Sequence, residues 1–266
     1  VHILLPPSEG KATPKSGRPV DLSGLSLPAL TPARARVLES LVALCAEPAS
    51  DQAREVLGLG PTQAEEIARN ARVRDTPAMP ARKLYTGVLY DALDLASLST
   101  PARRRADRAI LVFSGLWGAV RLGDRIPAYR CPVGSTLPGV GALGAYWRTA
   151  MPEVLAEVAR KGLVLDLRSS AYVTMWTPPR GEVARRTAVV RVLHEREVNG
   201  VLKRSVVSHF NKATKGRLVR DLLTSGARPS SPAALVEVLQ DLKYTVESHP
   251  SRGDRPVQLD LIVTEL

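Results

Sequence analysis

The stretch AREVLGLGPTQAEEIARN, Ala53 to Asn70, has the spacing of a helix-hairpin-helix. Ala53 and Val56 close a first helix. Gly58-Leu59-Gly60 then makes a bend tight enough that a Cβ at either glycine would clash or force a left-handed conformation. Pro61 suits the first position of a second helix, where an N–H would be an orphan. Ala64 and Ile67, three apart, face back onto the first helix. Such a hairpin, spanning 50–73, turns backbone N–H groups outward at the start of its second helix, where they can hold a nucleic-acid phosphate without reading a base. Gly58, Leu59, Gly60 and Thr62 are then the grip. The plainer reading is a tight link between helices that binds nothing, and Glu65 and Glu66 beside the bend argue for it, because a phosphate grip favours Lys or Arg.

The whole chain has 266 residues, 44% hydrophobic and 24% charged, a balance that excludes a disordered tail and allows one large domain or two small ones; the alternation of strands and helices along it predicts a single mixed α/β domain over 1–266. The net charge of +11 and a pI near 10.1 favour an anionic partner, nucleic acid first. The charge is spread along the chain, and the excess of Arg over Lys also follows from a GC-rich genome. Cys45 and Cys131 are too few for a disulfide framework, and with four His they show no ligand spacing, so neither metal nor cofactor is expected. The apolar run in VHILLPPSEG is shorter than a signal core, and no later segment approaches a membrane span. A cytoplasmic protein with no membrane partner is the expectation.

Along the chain, His2 to Leu5, Ala109 to Phe113, Leu163 to Leu167 and Val257 to Val263 are short apolar runs bounded by turn residues, the pattern of buried strands. Thr31 onward is helical, with Val37, Leu38, Leu41, Val42 and Cys45 on one stripe. Ala142 to Arg160 is helical with a restart at Pro152, and Pro232 to Leu242 is a further helix. Glu182 to His194 and Arg204 to Ser208 suggest a hairpin around Asn199-Gly200. The second strand is expected to run into a helix carrying Lys212, Lys215 and Leu218.

Polar residues gather where these strands end. Pro6-Pro7 leads into Ser8-Glu9-Gly10-Lys11, a loop without the Walker pattern, in which Lys11 is the only cation. Ser114-Gly115-Leu116-Trp117-Gly118 predicts a turn and short helix with exposed N–H groups, followed by Arg121, Asp124, Tyr129 and Arg130. Guanidinium and aromatic groups at that density can stack on a base and pair with phosphate, or simply pair among themselves through Asp124. Ser169, Lys212 and Lys215 close two further strand ends. Tyr85, Tyr129, Trp147 and Tyr172 are base-stacking or pocket candidates, against the plainer role of core tyrosines and tryptophan. His209 has no identifiable carboxylate partner and reads as structural rather than as a base.

Taken together, LLPPSEGK (4–11), KLYTGVLYDAL (83–93), FSGLWGAVRLGDRIPAYR (113–130), LGAYWR (143–148), LDLRSSAY (165–172) and SHFNKATKGRLVR (208–220) resemble, in family order, the YaaA family of bacterial peroxide-stress proteins. The resemblance implies an α+β fold peculiar to that family, with an embedded helix-hairpin-helix. It also implies double-stranded or structurally distorted DNA as ligand, without sequence preference, and a role in limiting oxidative damage. The positions it carries over are Lys11, Tyr85, Gly87, Gly115, Gly118, Arg121, Tyr129, Arg130, Trp147, Ser169, Tyr172, Lys212 and Lys215. After Arg228 the match is loose.

Two functions follow. The first is a DNA-binding stress protein that grips the phosphate backbone through the hairpin and basic surface. The second is an enzyme on a nucleotide or other phosphorylated or purine-like small molecule, held where Lys11, Ser114, Arg121, Arg130, Ser169 and Lys212 converge at strand ends. No nucleophile, acid/base pair or metal set is identifiable, so no reaction class follows.

Overall fold

The computed structural model describes residues 1–47, 50–198, 200–206, 208–249 and 253–264. Its centre is an eight-stranded mixed sheet. The strands are β1 (His2–Leu5), β2 (Ile110–Ser114), β3 (Gly118–Arg121), β4 (Val164–Asp166), β5 (Thr187–Val198), β6 (Val201–Ser205), β7 (Thr245–His249) and β8 (Val257–Val263). Their order is β7-β8-β5-β4-β1-β2-β3, with β6 paired to the far end of β5. The five strands from β8 to β2 run parallel, in registers such as Ile3 opposite Ile110 and His2 opposite Val164. Strands β3, β6 and β7 pair antiparallel.

The buried strands behave as covered parallel strands should. ILVFS in β2 and VLD in β4 are buried at every position, so their apolar runs show no alternation. Helix Ser208–Ser225 packs on β5 and on helices Val88–Leu93 and Thr100–Ala109. Its approach to the first of these depends on Gly216, where a Cβ would run into the Leu89 carbonyl oxygen. From β1 the chain passes to β2 on one side and later to β4 on the other. The crossing point therefore lies between β1 and β4, and a crevice at their carboxyl ends is where open α/β sheets hold ligands.

Several expectations need correction. Ser114 to Gly118 does not lead into a helix: it is the turn of a β-hairpin, with Ser114 opposite Gly118 and Phe113 opposite Ala119. No helix N-terminus forms there, because Trp117 N–H is spent on Ser114 Oγ at 3.0 Å. Glu182–Arg185 is a short helix, and the strand it leads into runs from Thr187 to Val198. The return strand is Val201–Ser205 rather than Arg204 to Ser208. Of the expected turn, Gly200 has φ 75°, while Asn199 lies outside the described residues, as does the side chain of His209. The edge strand Thr245–His249 was not anticipated.

Residues 51–71 form two short helices, Asp51–Leu57 and Ala64–Ala71, the second entered through a 3-10 turn at Pro61–Gln63. Gly58 caps the first helix in the left-handed region, with φ 60°. Gly60 does not share that constraint: its φ is −71°, and a Cβ there would meet only Gln63 Oε1, at 3.6 Å. The expected outward amides are mostly engaged. Gly58 N–H donates to Glu55 O, Leu59 N–H to Arg54 O and Gly60 N–H to Gln63 Oε1. Gly58 and Thr62 are exposed, whereas Leu59 is buried in the core.

Candidate functional site

The loop after β1 is tied to the segment before helix Val88–Leu93. Ala12 N–H donates to Leu84 O at 2.8 Å, Thr86 N–H to Ser8 Oγ at 3.1 Å, and Tyr90 Oη to Pro6 O at 2.7 Å. Lys11 forms an isolated bridge with Tyr85. This lacing points the Lys11 side chain inward, where its ammonium donates to Ser8 O (2.8 Å) and Glu9 O (3.2 Å). The ammonium also lies 4.5 Å from the Tyr129 ring centroid and 5.9 Å from that of Tyr85. Burial, with the positive charge of Arg130 second, pulls the Lys11 pKa down to about 8; Glu66, Cys131 and Glu9 act against that shift.

Tyr129 to Cys131 forms the facing wall. Asn70, fully buried at the end of helix Ala64–Ala71, accepts from Arg130 N–H at 2.9 Å and donates to Arg130 O at 2.7 Å. Gly115 lets the turn press against this wall, since a Cβ there would run into the Cys131 carbonyl oxygen. The Arg130 guanidinium meets the exposed Glu9 carboxylate at 3.3 Å, and its Nε is buried with no hydrogen-bond partner. Behind the lysine runs a chain of hydroxyls. Tyr85 Oη lies 3.0 Å from Tyr129 Oη, and Tyr129 Oη lies 2.6 Å from Ser114 Oγ, which accepts the Trp117 amide. Burial raises the pKa of both tyrosines, so both are neutral donors. Tyr172 joins the same corner: burial raises its pKa, Cys131 and Glu9 add to the rise, and the Val133 amide and Arg130 oppose it.

The fold thus brings together Lys11, Ser114, Tyr85, Tyr129, Arg130 and Tyr172 from four separate sequence blocks. It does not bring Arg121. Because β3 returns antiparallel, Arg121 pairs opposite Leu111, at the other end of the sheet, where its guanidinium donates to Arg108 O at 2.7 Å. Nor does Asp124 neutralise a guanidinium of this block: it accepts from Ser26 and from the Arg121 main chain. Gly118 and Trp147 are structural, the glycine (φ 71°) lying against the indole and Trp147 Nε1 donating to Gly115 O. The rings of Tyr85, Tyr129 and Trp147 are all buried, so none is presented for stacking on a base. Lys215 caps the end of β4 through Leu167 O, and burial lowers its pKa; Lys212 and Ser169 are exposed. Beside them Asp166 and Arg168 form a buried bidentate pair, with the guanidinium 4.3 Å from the Phe113 ring.

Asn70, Glu9 and Cys131 were missed as parts of this corner. Asn70 carries no sequence signal, because its partner is main chain sixty residues away. Two surface clefts, of about 380 and 490 Å3, flank helix Leu143–Ala150, and neither is lined by a residue of the corner. The corner opens to solvent at Glu9 and Gly10. Among the described residues no group of His, Cys, Asp and Glu has the arrangement of a metal site, and no helix is long and apolar enough to cross a membrane.

The six sequence blocks that meet in this corner and around it fall inside residues 1–249, and the family model described as peroxide stress protein YaaA matches that whole span. The chain belongs to the YaaA peroxide stress protein family. A UPF0246 protein of Streptomyces coelicolor is 58% identical over 265 residues, covering 99% of each chain. A UPF0246 protein of Corynebacterium efficiens is 37% identical over 256 residues, 95% of this chain and 97% of its own. An uncharacterised protein of Campylobacter jejuni is 26% identical over 220 residues, 82% of this chain and 83% of its own. The YaaA model continues past Arg228 to residue 249.

Proposed function

We propose that this YaaA-family protein serves the peroxide stress response by binding the phosphate backbone of DNA, double-stranded or distorted, without reading its sequence. The observation that carries this reading is the Arg130 guanidinium, which has an unpartnered buried Nε and, among the described residues, a single exposed carboxylate, Glu9, as its counter-ion. A phosphate oxygen displacing Glu9 would gain a charge-assisted donor on a residue whose main chain Asn70 holds. The net charge of +11 supplies the long-range attraction. The hairpin contributes differently from the first expectation. Its amides are largely spent internally, so its part in a helix-hairpin-helix grip falls to the exposed Gly58 and Thr62 and to the helix that carries Asn70 to Arg130.

Anisotropy titration of fluorescent duplexes, some with a mismatch bulge, tests this. Affinity should fall at least tenfold between 50 and 200 mM salt and show no sequence preference. Arg130→Ala should weaken every duplex alike. Salt-independent retention of DNA, or full affinity in Arg130→Ala, would remove the reading.

The second reading, an enzyme on a phosphorylated or nucleotide-like small molecule, is favoured by the hydroxyl chain beneath Lys11, which phosphate gripping does not need. Saturable stabilisation of the fold by a nucleoside monophosphate, abolished in Arg130→Ala, would support it.

A further inference from the structure

We propose that Lys11 is an amine nucleophile that forms an imine with an aldehyde or ketone carrying an anionic group, the anion resting on Arg130. The inference rests on the Lys11–Arg130 corner as an anion site and adds the chemistry done there. A lysine ammonium has three protons to donate. Here Ser8 O and Glu9 O accept two of them, and among the described residues no third acceptor stands at the nitrogen. Loss of the third proton therefore breaks no hydrogen bond: the neutral amine keeps both carbonyl partners and frees a lone pair.

The charges around the amine favour that state. Among the described residues no carboxylate lies within 4 Å of Nζ, because the nearest loop carboxylate, Glu9, turns to Arg130 instead. Arg130 and burial disfavour the ammonium, while Glu66, Cys131 and Glu9 restrain the shift, leaving the group near pH 8. Roughly a quarter of such an amine is neutral at pH 7.5, against about one in a thousand for an ordinary lysine. An amine of this kind is the nucleophile that carbonyl chemistry uses.

Imine formation also needs protons moved; no hydroxyl of the chain bonds Nζ, and the Tyr129 and Tyr85 rings lie 4.5 and 5.9 Å from it to their centroids, so the protons pass by way of the carbinolamine oxygen. The Lys11 lone pair attacks the carbonyl carbon, a C–N bond forms, and the π electrons go to oxygen. One proton passes from nitrogen to that oxygen to give the carbinolamine. A further proton then lets the hydroxyl leave as water while the nitrogen lone pair closes the C=N bond, and the iminium so formed gives up its N–H proton to leave the imine. The sum is carbonyl plus amine giving imine plus water, with no oxidant or reductant. Tyr85, Tyr129 and Ser114 each donate and accept, and with the Ser114 end fixed by the Trp117 amide the chain can take up a proton at one end and return it. The anion-bearing carbonyl could belong to a small phosphorylated aldehyde or to the sugar aldehyde of a DNA strand that has lost a base.

The full-length protein is incubated with glycolaldehyde phosphate, with glycolaldehyde, or with a duplex containing one abasic site. Borohydride reduces any imine, and peptide mass mapping finds the adduct. The expected result is an adduct on the Lys11 peptide in excess over all other lysines, absent in Lys11→Arg. Its rate should rise with pH to a midpoint near 8, and Arg130→Ala should abolish the preference for the phosphorylated aldehyde. Tyr129→Phe should slow trapping about tenfold. Adduct with the small aldehyde only, or with the duplex only, identifies the source. Labelling spread over surface lysines with no excess at Lys11, or a midpoint above 10, overturns the proposal. Protection by inorganic phosphate, read as a thermal shift on the same preparation, separates failure of the imine from failure of the anion site.

Discussion

Asn70 holds Arg130 by both of its main-chain groups, one amide side chain accepting from the N–H and donating to the C=O. The contact fixes the Tyr129 to Cys131 wall to helix Ala64–Ala71, so that helix and the Lys11 corner are mechanically one unit. Asn70→Ala leaves two main-chain groups of Arg130 without partners and should cost about 2–4 kcal/mol. Urea denaturation reads that loss. In the folded fraction DNA affinity should fall as in Arg130→Ala, and unchanged affinity would mean that Arg130 is placed by something else.

The glycines separate structural from functional demands. Gly216→Ala drives a Cβ into the Leu89 carbonyl, a backbone atom that cannot swing aside, and should cost about 3 kcal/mol or more. Gly58→Ala meets no atom within 4 Å and pays only for its φ of 60°, about 1 kcal/mol. Gly60→Ala, with an ordinary φ, should be close to neutral. Thermal melts of the three variants should therefore rank Gly216→Ala far below the other two.

Asp166 and Arg168 pair at the carboxyl end of β4 with side chains 3% and 0% exposed. A buried pair of this kind need not add stability, but breaking it strands a charge. Asp166→Asn should cost about 3–5 kcal/mol because the Arg168 guanidinium keeps its main-chain acceptors and loses the one counter-charge it has among the described residues. Replacing both residues with apolar groups of similar volume should recover much of that loss. A single variant as stable as the parent would show the pair to be hydrated in solution.

The sheet was legible where strands are buried on both faces: β1, β2, β4 and β8 are apolar runs cut off by Pro, Gly or polar residues. What escaped were elements whose pattern depends on a neighbour. TVESH at the sheet edge is half exposed and shows little alternation, and GLWGAVR is as apolar in a hairpin as it would be in a helix. The same holds for the site. Lys11, Ser114, Tyr85, Tyr129 and Arg130 each stood in a polar block near a strand end or turn, and the fold collected them. Arg121 stood in the same block as Arg130, but the direction of β3 decides which end of the sheet it reaches, and direction is a tertiary fact.

The two thiols and Lys11 together make a test in pH. Burial, with Cys45 second, pushes the Cys131 thiol up to about 12, and Cys45 is also raised by burial. At neutral pH neither supplies thiolate, so a disulfide-exchange reagent should label both only as fast as the chain unfolds; prompt labelling of the native protein would show an open path to them. The linkage signs differ between the two kinds of group. Between pH 8 and 10.5 the unfolded chain binds a proton at Lys11 that the folded chain has released, so stability rises with pH across that window. From about pH 9 to 12 the folded chain keeps a proton on Cys131 that the unfolded chain loses, so that contribution falls. Lys11 should therefore dominate between pH 8 and 9, raising stability by up to about 1.4 kcal/mol per pH unit relative to Lys11→Met. Above pH 9 the parent curve should bend down more sharply than that of Cys131→Ala, in which Cys45 and the buried tyrosines supply the remaining opposing slope. Denaturation midpoints at half-unit steps in pH measure both, and a parent curve parallel to that of Lys11→Met from pH 8 to 9 would show that the Lys11 amine titrates as an ordinary surface lysine.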